Sequence, residues 1–236
     1  AGLKTCGIRG FNLTMPNKNK IVELLDELSP EAQLIGAVNT VLNDNGKLIG
    51  YNTDGYGFMQ SVRDAGHDIT GKNITVMGVG GASMAICAQS ALDGAASVHI
   101  FARRTSRYWN RTQKFAENLS AKTGCQVCLF DNDDHTALRD SIAQSYLLIN
   151  ATSVGMVPDI DDTIIKDTSL FHPELVVADV VYEPQETRLL KEAKAAGCQT
   201  FNGMYMLLHQ GAKAFQIWTG QEMPVSVIKE KYFSVK

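Results

Sequence analysis

The chain has 236 residues, of which 44% are hydrophobic and 20% charged, so it is long enough for one large or two modest domains and is no short disulfide-stapled scaffold. Lysine and arginine number 22 against 25 acidic residues, a formal net charge of −3, and the longest basic run is Arg103-Arg104, which excludes the electrostatic pattern of a nucleic-acid-binding protein. No window approaches the roughly 18 uninterrupted apolar residues of a membrane span. We therefore expect a folded protein whose partners are small molecules, with neither nucleic acid nor a membrane among them.

Five cysteines are scattered along the chain and no secretory signal precedes them, so we expect a cytoplasmic protein with reduced thiols. Cys125 and Cys128 have the spacing of half a zinc site, but no second pair accompanies them. Their surroundings have the pattern of a strand, whereas a redox motif needs a helix N-terminus. We interpret both as structural thiols and predict no metal site.

The first segment predicts short helices around one β-hairpin. Residues 21–28 carry apolar side chains at helical spacing, and Ser29 followed by Pro30 is typical of a helix N-cap with proline in the first helical position. An Asn-Asp-Asn-Gly sequence between two apolar runs is typical of a hairpin turn. The predicted strands are 38–42 and 47–51, and the next predicted helix is 54–65.

From residue 73 the pattern changes to an alternation of strands and helices. An apolar strand over 74–77 leads through a glycine turn into a helix of small residues. Alternating β and α elements imply a parallel, doubly wound sheet and an α/β fold. The final segment is helical and is expected to pack back on the first. Further strands are predicted at 97–101, 126–130, 147–150, 176–180 and 199–201, and helices at 111–121, 136–143, 187–195, 205–218 and 225–233.

The glycine turn is the first motif with a chemical reading. Gly78, Gly80, Gly81 and Ala82 follow a predicted strand and precede a helix, so free backbone N–H groups and the helix dipole can hold a pyrophosphate. The alternative is a tight turn that binds no ligand. The sequence therefore predicts a dinucleotide site here and leaves that alternative open.

The following strand indicates which dinucleotide is bound. An NAD site usually ends its second strand with a carboxylate for the ribose hydroxyls, about 20 residues past the glycines, whereas an NADP site places arginine there. Here the strand is followed by Arg103, Arg104 and Arg107, with no acidic residue between them. Because a guanidinium suits a phosphate group, NADP is predicted, and the alternative is a solvated basic loop.

Polar residues in the first segment lie near strand ends. Taken singly, Lys18 is typical of a surface lysine in a first helical turn, Asn39 of a strand edge and Asp54 of a helix N-cap. Together they offer an amine, a carboxylate and hydrogen-bonding groups. An alcohol that is oxidised beside a nicotinamide must lose a proton as its hydride leaves, so a group of this kind is needed within hydrogen-bond reach.

Seven motifs occur in the order of the shikimate dehydrogenase family, which the chain resembles along essentially its whole length. The resemblance implies a Rossmann-like domain with a doubly wound parallel sheet and a smaller, discontinuous α/β substrate domain. Residues 1–54 and 203–236 correspond to the substrate-binding catalytic domain, and 55–202 to the NAD(P)-binding domain, with the active site in the cleft between. The motifs are residues 12–18, 36–40, 50–55, 78–82, 150–156, 181–187 and 203–211.

The family implies reversible reduction of 3-dehydroshikimate to shikimate with NADPH, a step of aromatic amino acid (chorismate) biosynthesis, by a monomer or homodimer. Lys18 matches the catalytic lysine, and Asp54 matches its carboxylate partner, both also touching the substrate. Further substrate contacts match Thr14, Asn39 and Gln210 for the hydroxyls and Tyr182 for the carboxylate. Cofactor positions match Gly80, Gly81, Ala82, Arg103, Arg104, Arg107, Val180 and Gly203.

Departures from the family pattern leave alternatives. Ala102 stands where the family usually has asparagine. The paired arginines resemble a quinate/shikimate branch that can use NAD, yet that branch has an acid where Thr105 stands. The family begins with a βα unit whose serine pair grips the substrate carboxylate, and the chain as given lacks this unit, so we expect a fragment of a longer enzyme. The alternatives are a quinate/shikimate dehydrogenase using NAD or NADP, and a non-catalytic dinucleotide-binding module.

Overall fold

The computed structural model describes residues 2–233. These residues form two compact units, the first from residues 2–61 and 205–233 and the second from residues 62–204. Each unit contains one sheet. Within the described range, every helix is too short or too polar to cross a lipid bilayer.

The elements alternate along most of the chain. The strands are β1 (Gly10–Asn12), β2 (Glu27–Leu28), β3 (Thr40–Asp44), β4 (Lys47–Tyr51), β5 (Asn73–Met77), β6 (Ser97–Ala102), β7 (Gln126–Asp131), β8 (Leu147–Asn150), β9 (Val176–Asp179) and β10 (Gln199–Phe201). The α-helices are α1 (Gly2–Thr5), α2 (Pro30–Ile35), α3 (Asp54–Asp64), α4 (Gly81–Leu92), α5 (Trp109–Thr123), α6 (His135–Gln144), α7 (Arg188–Ala195), α8 (Met204–Thr219) and α9 (Val225–Ile228). Short 3₁₀ segments lie at Lys20–Leu24 and Thr168–Leu170, and a π-helical turn lies at Lys229–Phe233.

The first unit is built on a four-stranded sheet in the order β1-β3-β4-β2. β3 and β4 form the predicted hairpin, whose central residues Asn45 and Gly46 have φ of 51° and 94°, as a two-residue type I′ turn requires. β3 begins two residues later than predicted, because the Val38 N–H donates to the Lys18 carbonyl at 2.8 Å. The Ser29 cap is confirmed, since its hydroxyl accepts from the Ala32 N–H.

The helix predicted over residues 21–28 is wrong in its second half. The 3₁₀ segment ends at Leu24, Leu25 has extended backbone with ψ of 146°, and Leu28 lies in β2. The reason is tertiary, because β2 pairs with β4 and the apolar side chains of both parts pack against one small core containing Val38 and Val41. Apolar spacing identified most of the residues that pack on this core, but Leu24 is 72% exposed and the backbone conformation differs.

The second unit has a six-stranded sheet with every neighbouring pair parallel, in the order β10-β9-β8-β5-β6-β7. Counted within the unit, this is the 3-2-1-4-5-6 order of dinucleotide-binding folds, with its switch point between β5 and β8. The predicted doubly wound parallel sheet and the α/β class are confirmed. Ligands of such sheets bind at the carboxyl ends of the strands, near the switch point.

The last helical segment packs on the first segment, as expected. In α8, the Trp218 indole N–H donates to the Val41 carbonyl at 3.0 Å. The same indole lies so close to β1 that a Cβ on Gly10 would fall 2.1 Å from its Nε1. Gly10 therefore allows the helix to approach the sheet of the first unit.

Candidate functional site

An ion pair in the first unit joins two of the predicted site residues. The Lys18 ammonium donates to the Asp54 carboxylate, with 2.7 Å between Nζ and Oδ2, and the two side chains are only 16% and 11% exposed. Lys18 lies on the loop after β1, and Asp54 is the first residue of α3. A pair so shielded from water interacts more strongly than an exposed one, because solvent screens it less. A charged amine and a carboxylate are thus held at hydrogen-bond distance.

Asn39 orients the carboxylate. Its amide nitrogen donates to Asp54 Oδ1 at 2.8 Å and to the Thr53 hydroxyl at 3.0 Å, and the side chain is buried. Its amide oxygen accepts from the Thr53 backbone N–H at 2.9 Å, which fixes which end of the amide faces Asp54. Both carboxylate oxygens of Asp54 therefore have a defined donor.

Residues that the sequence analysis did not single out complete this cluster. The Asn12 amide donates to the Thr40 hydroxyl at 2.9 Å, and that hydroxyl donates to Asn39 Oδ1 at 2.9 Å. Asn52 Oδ1 accepts from the Asp54 N–H at 3.1 Å, at the start of α3. The sequence signal for Asn52 and Thr53 is their position at the start of the helix predicted over 54–65, since polar residues of this kind cap helices. We call Asn12, Lys18, Asn39, Thr40, Asn52, Thr53 and Asp54 the acid–base cluster.

Thr14 and Gln210 lie beside the acid–base cluster in the same unit. Leu13 donates its N–H to the Asn39 carbonyl at 2.9 Å, which places Thr14 next to it, with an exposed side chain free of hydrogen bonds to any residue between 2 and 233. Gln210 is half-buried on α8 and donates to the Leu207 carbonyl at 3.0 Å. A Cβ on Gly57, one turn beyond the start of α3, would lie 2.7 Å from the backbone nitrogen of Gln210, so α8 approaches α3 closely at this position. Both side chains are available to a ligand.

The glycine turn of the second unit has the features of an anion site. Gly80 is the N-cap of α4 and has no side chain to cap it, so among residues 2–233 no N-cap side chain occupies the first N–H groups of the helix, which can face a ligand. Gly80 and Gly81 are exposed, and a Cβ on either would meet no atom within 4 Å. Ala82 follows in the first helical turn and is half-buried. The space directly over the two glycines is therefore open to a ligand.

Val180 and Gly203 meet at the same edge of this sheet. A Cβ on Gly203 would fall 2.1 Å from the Val180 carbonyl oxygen, so only glycine allows this approach. The Gly203 N–H donates to the Val181 carbonyl at 3.2 Å. Tyr182 follows, and the residue is 43% exposed. The structure thus brings Val180 and Gly203 together, two of the predicted cofactor residues, and Tyr182 follows Val180 by two positions in the chain.

The arginines after β6 form an exposed basic loop. Arg104 lies over the Trp109 ring at 4.7 Å, and Arg107 lies over the Tyr108 ring at 4.8 Å and donates to its hydroxyl at 2.7 Å. The Arg103 guanidinium has no hydrogen bond or ion pair within the described part of the chain. Two cations are held by aromatic rings while the third is open to a ligand.

The Cys125 and Cys128 pair lies at β7, as its strand pattern indicated. Burial raises the pKa of Cys125 to about 11, so its thiol stays protonated near neutral pH. Between residues 2 and 233, no group of three or more histidine, cysteine or acidic side chains is placed to hold a metal ion. The interpretation of these cysteines as structural thiols stays a prediction.

Comparison with known proteins points in one direction. Residues 1–41 match the family model of a shikimate dehydrogenase substrate binding domain, and residues 203–231 that of a shikimate 5'-dehydrogenase C-terminal domain. The chain is 51% identical to shikimate dehydrogenase (NADP(+)) of Listeria innocua, over 98% of the chain and 79% of the relative. It is 42% identical to quinate/shikimate dehydrogenase of Escherichia coli, over 97% of the chain and 79% of the relative.

A solved structure agrees with these relatives. The crystal structure of shikimate 5-dehydrogenase from Listeria monocytogenes, in complex with shikimate and NAD, matches with a TM-score of 0.94 and 51% identity, over 97% of this chain and 79% of that one.

Proposed function

Because the chain belongs to the shikimate dehydrogenase family, we propose that it catalyses the reversible NADPH-dependent reduction of 3-dehydroshikimate to shikimate, a step of aromatic amino acid (chorismate) biosynthesis. It is an oxidoreductase that acts on a CH–OH group. The observation that carries the proposal is the Lys18–Asp54 pair, with 2.7 Å between Nζ and Oδ2.

Lys18 is the proton donor of the reduction and the acceptor of the oxidation. As the carbonyl carbon gains a hydride, its oxygen gains the proton of the Lys18 ammonium, which restores the balance of charge. NADPH supplies that hydride when bound. Asp54 keeps the ammonium in place and offers its oxygens to a substrate hydroxyl. Asn39 prevents the carboxylate from rotating, because it holds Oδ1 at 2.8 Å.

Further substrate contacts are assigned to residues near the acid–base cluster and to one in the second unit. The Thr14 hydroxyl lies next to Asn39, and the Gln210 side-chain oxygen, whose amide nitrogen donates to the Leu207 carbonyl, lies next to α3; both support a role in holding the substrate hydroxyls. Tyr182 is 43% exposed as a residue, which supports contact between its phenol and the substrate carboxylate. These side chains bind and orient the substrate, and the proton transfer belongs to Lys18.

The cofactor is NADP, held by the second unit. The N–H groups at Gly80, Gly81 and Ala82 would bind the pyrophosphate, because the start of α4 is uncapped and open. Arg103, Arg104 and Arg107 would bind the 2′-phosphate and the adenine, Arg103 with its free guanidinium. Val180 and Gly203 form a close backbone contact that supports the remaining part of the dinucleotide. The proposed compartment is the cytoplasm, since the cysteines are free thiols.

A quinate/shikimate dehydrogenase is the second candidate. The observation that favours it is the 42% identity to the Escherichia coli enzyme of that name. The Listeria monocytogenes enzyme, whose crystal holds NAD beside shikimate, shows that a relative at 51% identity accommodates the cofactor without the 2′-phosphate. Cofactor and substrate preference are therefore the quantities to measure.

A steady-state assay with four pairs tests both candidates. Shikimate and quinate are each combined with NADP⁺ and with NAD⁺, and kcat/KM is compared. We expect the highest value for shikimate with NADP⁺. A higher value for quinate moves the assignment to the second candidate, and no turnover with any pair, while NADPH still binds in calorimetry, leaves only a dinucleotide-binding module.

A further inference from the structure

A fully buried carboxylate at the edge of the second sheet has no role in the reaction described above. Asp179 is the last residue of β9 and is 0% exposed. Burial raises the pKa of this carboxyl, while hydrogen bonds from Val181, Thr187 and Asn150 lower it. None of the residues from 2 to 233 supplies a cation to pair with it. Burying a carboxylate without a counter-charge costs free energy, so the position of Asp179 needs a physical reason.

Three donors from three segments converge on this carboxylate. Oδ1 accepts from the Asn150 side-chain amide at 3.0 Å and from the Val181 N–H at 2.9 Å. Oδ2 accepts from the Thr187 hydroxyl at 2.8 Å. Since an ionised carboxylate accepts and does not donate, it satisfies all three at once, whereas an amide in its place turns one acceptor into a donor.

Each donor also fixes the start of a loop or helix. Asn150 Oδ1 accepts two hydrogen bonds from Thr152, one from its backbone N–H at 3.1 Å and one from its hydroxyl at 2.7 Å. Asn150 Nδ2 also donates to the Val154 carbonyl at 3.1 Å. Thr187 is the N-cap of α7, and its hydroxyl accepts from the Leu190 N–H. The carboxylate thus ties the loop after β8 to the loop after β9.

These two loops touch the positions proposed to hold the dinucleotide. A Cβ on Gly78, in the glycine turn, would lie 2.8 Å from the Thr152 methyl carbon, so the loop after β8 supports that turn directly. On the loop after β9, the Val180 carbonyl lies between Asp179 and the Val181 N–H that the carboxylate holds, and Gly203, which follows β10, packs against that carbonyl. Both faces of the proposed cofactor site are fixed from one point.

We propose that Asp179 is a positioning residue for NADP(H), which holds the loops after β8 and β9 so that the glycine turn and the Val180 carbonyl keep the geometry that binds the dinucleotide. The inference rests on the proposed function for the identity of the ligand. It adds a residue that touches neither the substrate nor the cofactor and acts through Asn150, Val181 and Thr187.

The test is calorimetric binding of NADPH to the full chain carrying Asp179→Asn. We expect the Kd to rise about tenfold, because the new amide group of residue 179 faces one of the three donors with a donor of its own and so loses one hydrogen bond to a charged group. The KM for NADP⁺ rises in parallel, and the KM for shikimate does not change. The matched control is Thr75→Val in β5 of the same sheet, which removes the buried hydrogen bonds between Thr75 and the hydroxyls of Ser141 and Ser145 at α6. It lowers the melting temperature but leaves the Kd unchanged.

A second pair of variants covers the case in which Asp179→Asn does not fold. Thr187→Ser keeps the hydroxyl and is expected to bind NADPH like the unchanged chain, whereas Thr187→Val loses it and binds more weakly. Equal Kd values for these two, or an Asp179→Asn shift no larger than that of Thr75→Val, overturn the inference. An unchanged chain that binds NADPH but does not oxidise shikimate overturns the proposed function alone, because the binding measurements stand without turnover.

Discussion

The acid–base cluster of the first unit and the arginine loop of the second differ in how far their polar groups are already satisfied. Lys18 and Asp54 are mostly shielded and bonded to each other, and Asn39 is held by Thr53. Arg103 is exposed and unpartnered in the described range. Groups that act on reacting atoms benefit from being fixed beforehand, whereas a group that binds a charged ligand gains most when that ligand is its first strong partner. Changes in the cluster should therefore lower kcat, and changes in the loop should raise KM.

The largest expected effect is on turnover in Lys18→Ala. We expect kcat for shikimate oxidation to fall about 100- to 10,000-fold, because general acid–base catalysis contributes roughly that factor, while KM changes little. The matched control is Lys20→Ala, two residues away and exposed at the start of the 3₁₀ segment, which should keep full activity. A normal kcat for Lys18→Ala would remove the residue from the reaction.

Arg103→Ala should weaken binding of the cofactor and leave kcat unchanged. Losing a charge-assisted contact to the 2′-phosphate is expected to raise the KM for NADP⁺ about 10- to 100-fold, and the KM for NAD⁺, which lacks that phosphate, should stay the same. Arg139→Ala removes an equally exposed arginine on α6 as a control. Equal effects on both cofactors would contradict the assignment of the phosphate to Arg103.

Asn39→Ala tests whether the cluster depends on the orientation of its carboxylate. The change removes the donor to Asp54 Oδ1 and the acceptor of the Thr53 N–H, so we expect kcat to fall about tenfold and the free energy of unfolding to fall by about 1–3 kcal/mol. Kinetics and urea unfolding on the same samples measure both. A loss of stability with unchanged kcat would make Asn39 structural only.

The smallest expected effect concerns pH and lies outside both regions. Burial lowers the pKa of His67 and of His99 below the ordinary value near 6.5. The unfolded chain then binds more protons than the folded one below about pH 6.5, so the stability from these groups is complete above that pH and is lost as the pH falls. We expect the melting temperature to fall as the pH is lowered from 7.5 to 5.5, and to fall less steeply in His99→Asn than in the unchanged chain. His135→Asn, an exposed control, should follow the unchanged chain. Identical slopes in all three would contradict this.

Local signals in the sequence predicted most of the elements and some of the site. The Ser29-Pro30 cap, the Asn45-Gly46 turn and the alternation after residue 73 each depend on near neighbours, so their rules apply directly. The helix prediction over residues 21–28 failed because β2 pairs with β4, and this contact between distant segments overrode the helical spacing. Four of the five apolar residues there do pack on the small core, and Leu24 is the exception.

The contacts between distant residues could not be read from local pattern. Lys18 and Asp54 are 36 positions apart, and taken singly their local patterns favoured a surface and a capping role. Grouping them suggested an amine and a carboxylate that could act together, and the family resemblance assigned them as partners. Asn12 and Thr53 are ordinary polar residues until the fold brings them to Asn39. Asp179 ends an apolar strand and gives no signal of three converging donors. Such sites depend on which strands become neighbours, which no short window contains.

We propose that Lys18 and Asp54 act as one unit in proton transfer, and a double-mutant cycle on kcat measures whether they do. The variants Lys18→Ala, Asp54→Ala and the double variant are compared with the unchanged chain, with shikimate and NADP⁺ at saturation. We expect the double variant to be no slower than the slower single variant, because residues that act as a unit lose their effect only once. Losses that multiply, with each substitution lowering kcat by its own independent factor, would contradict it.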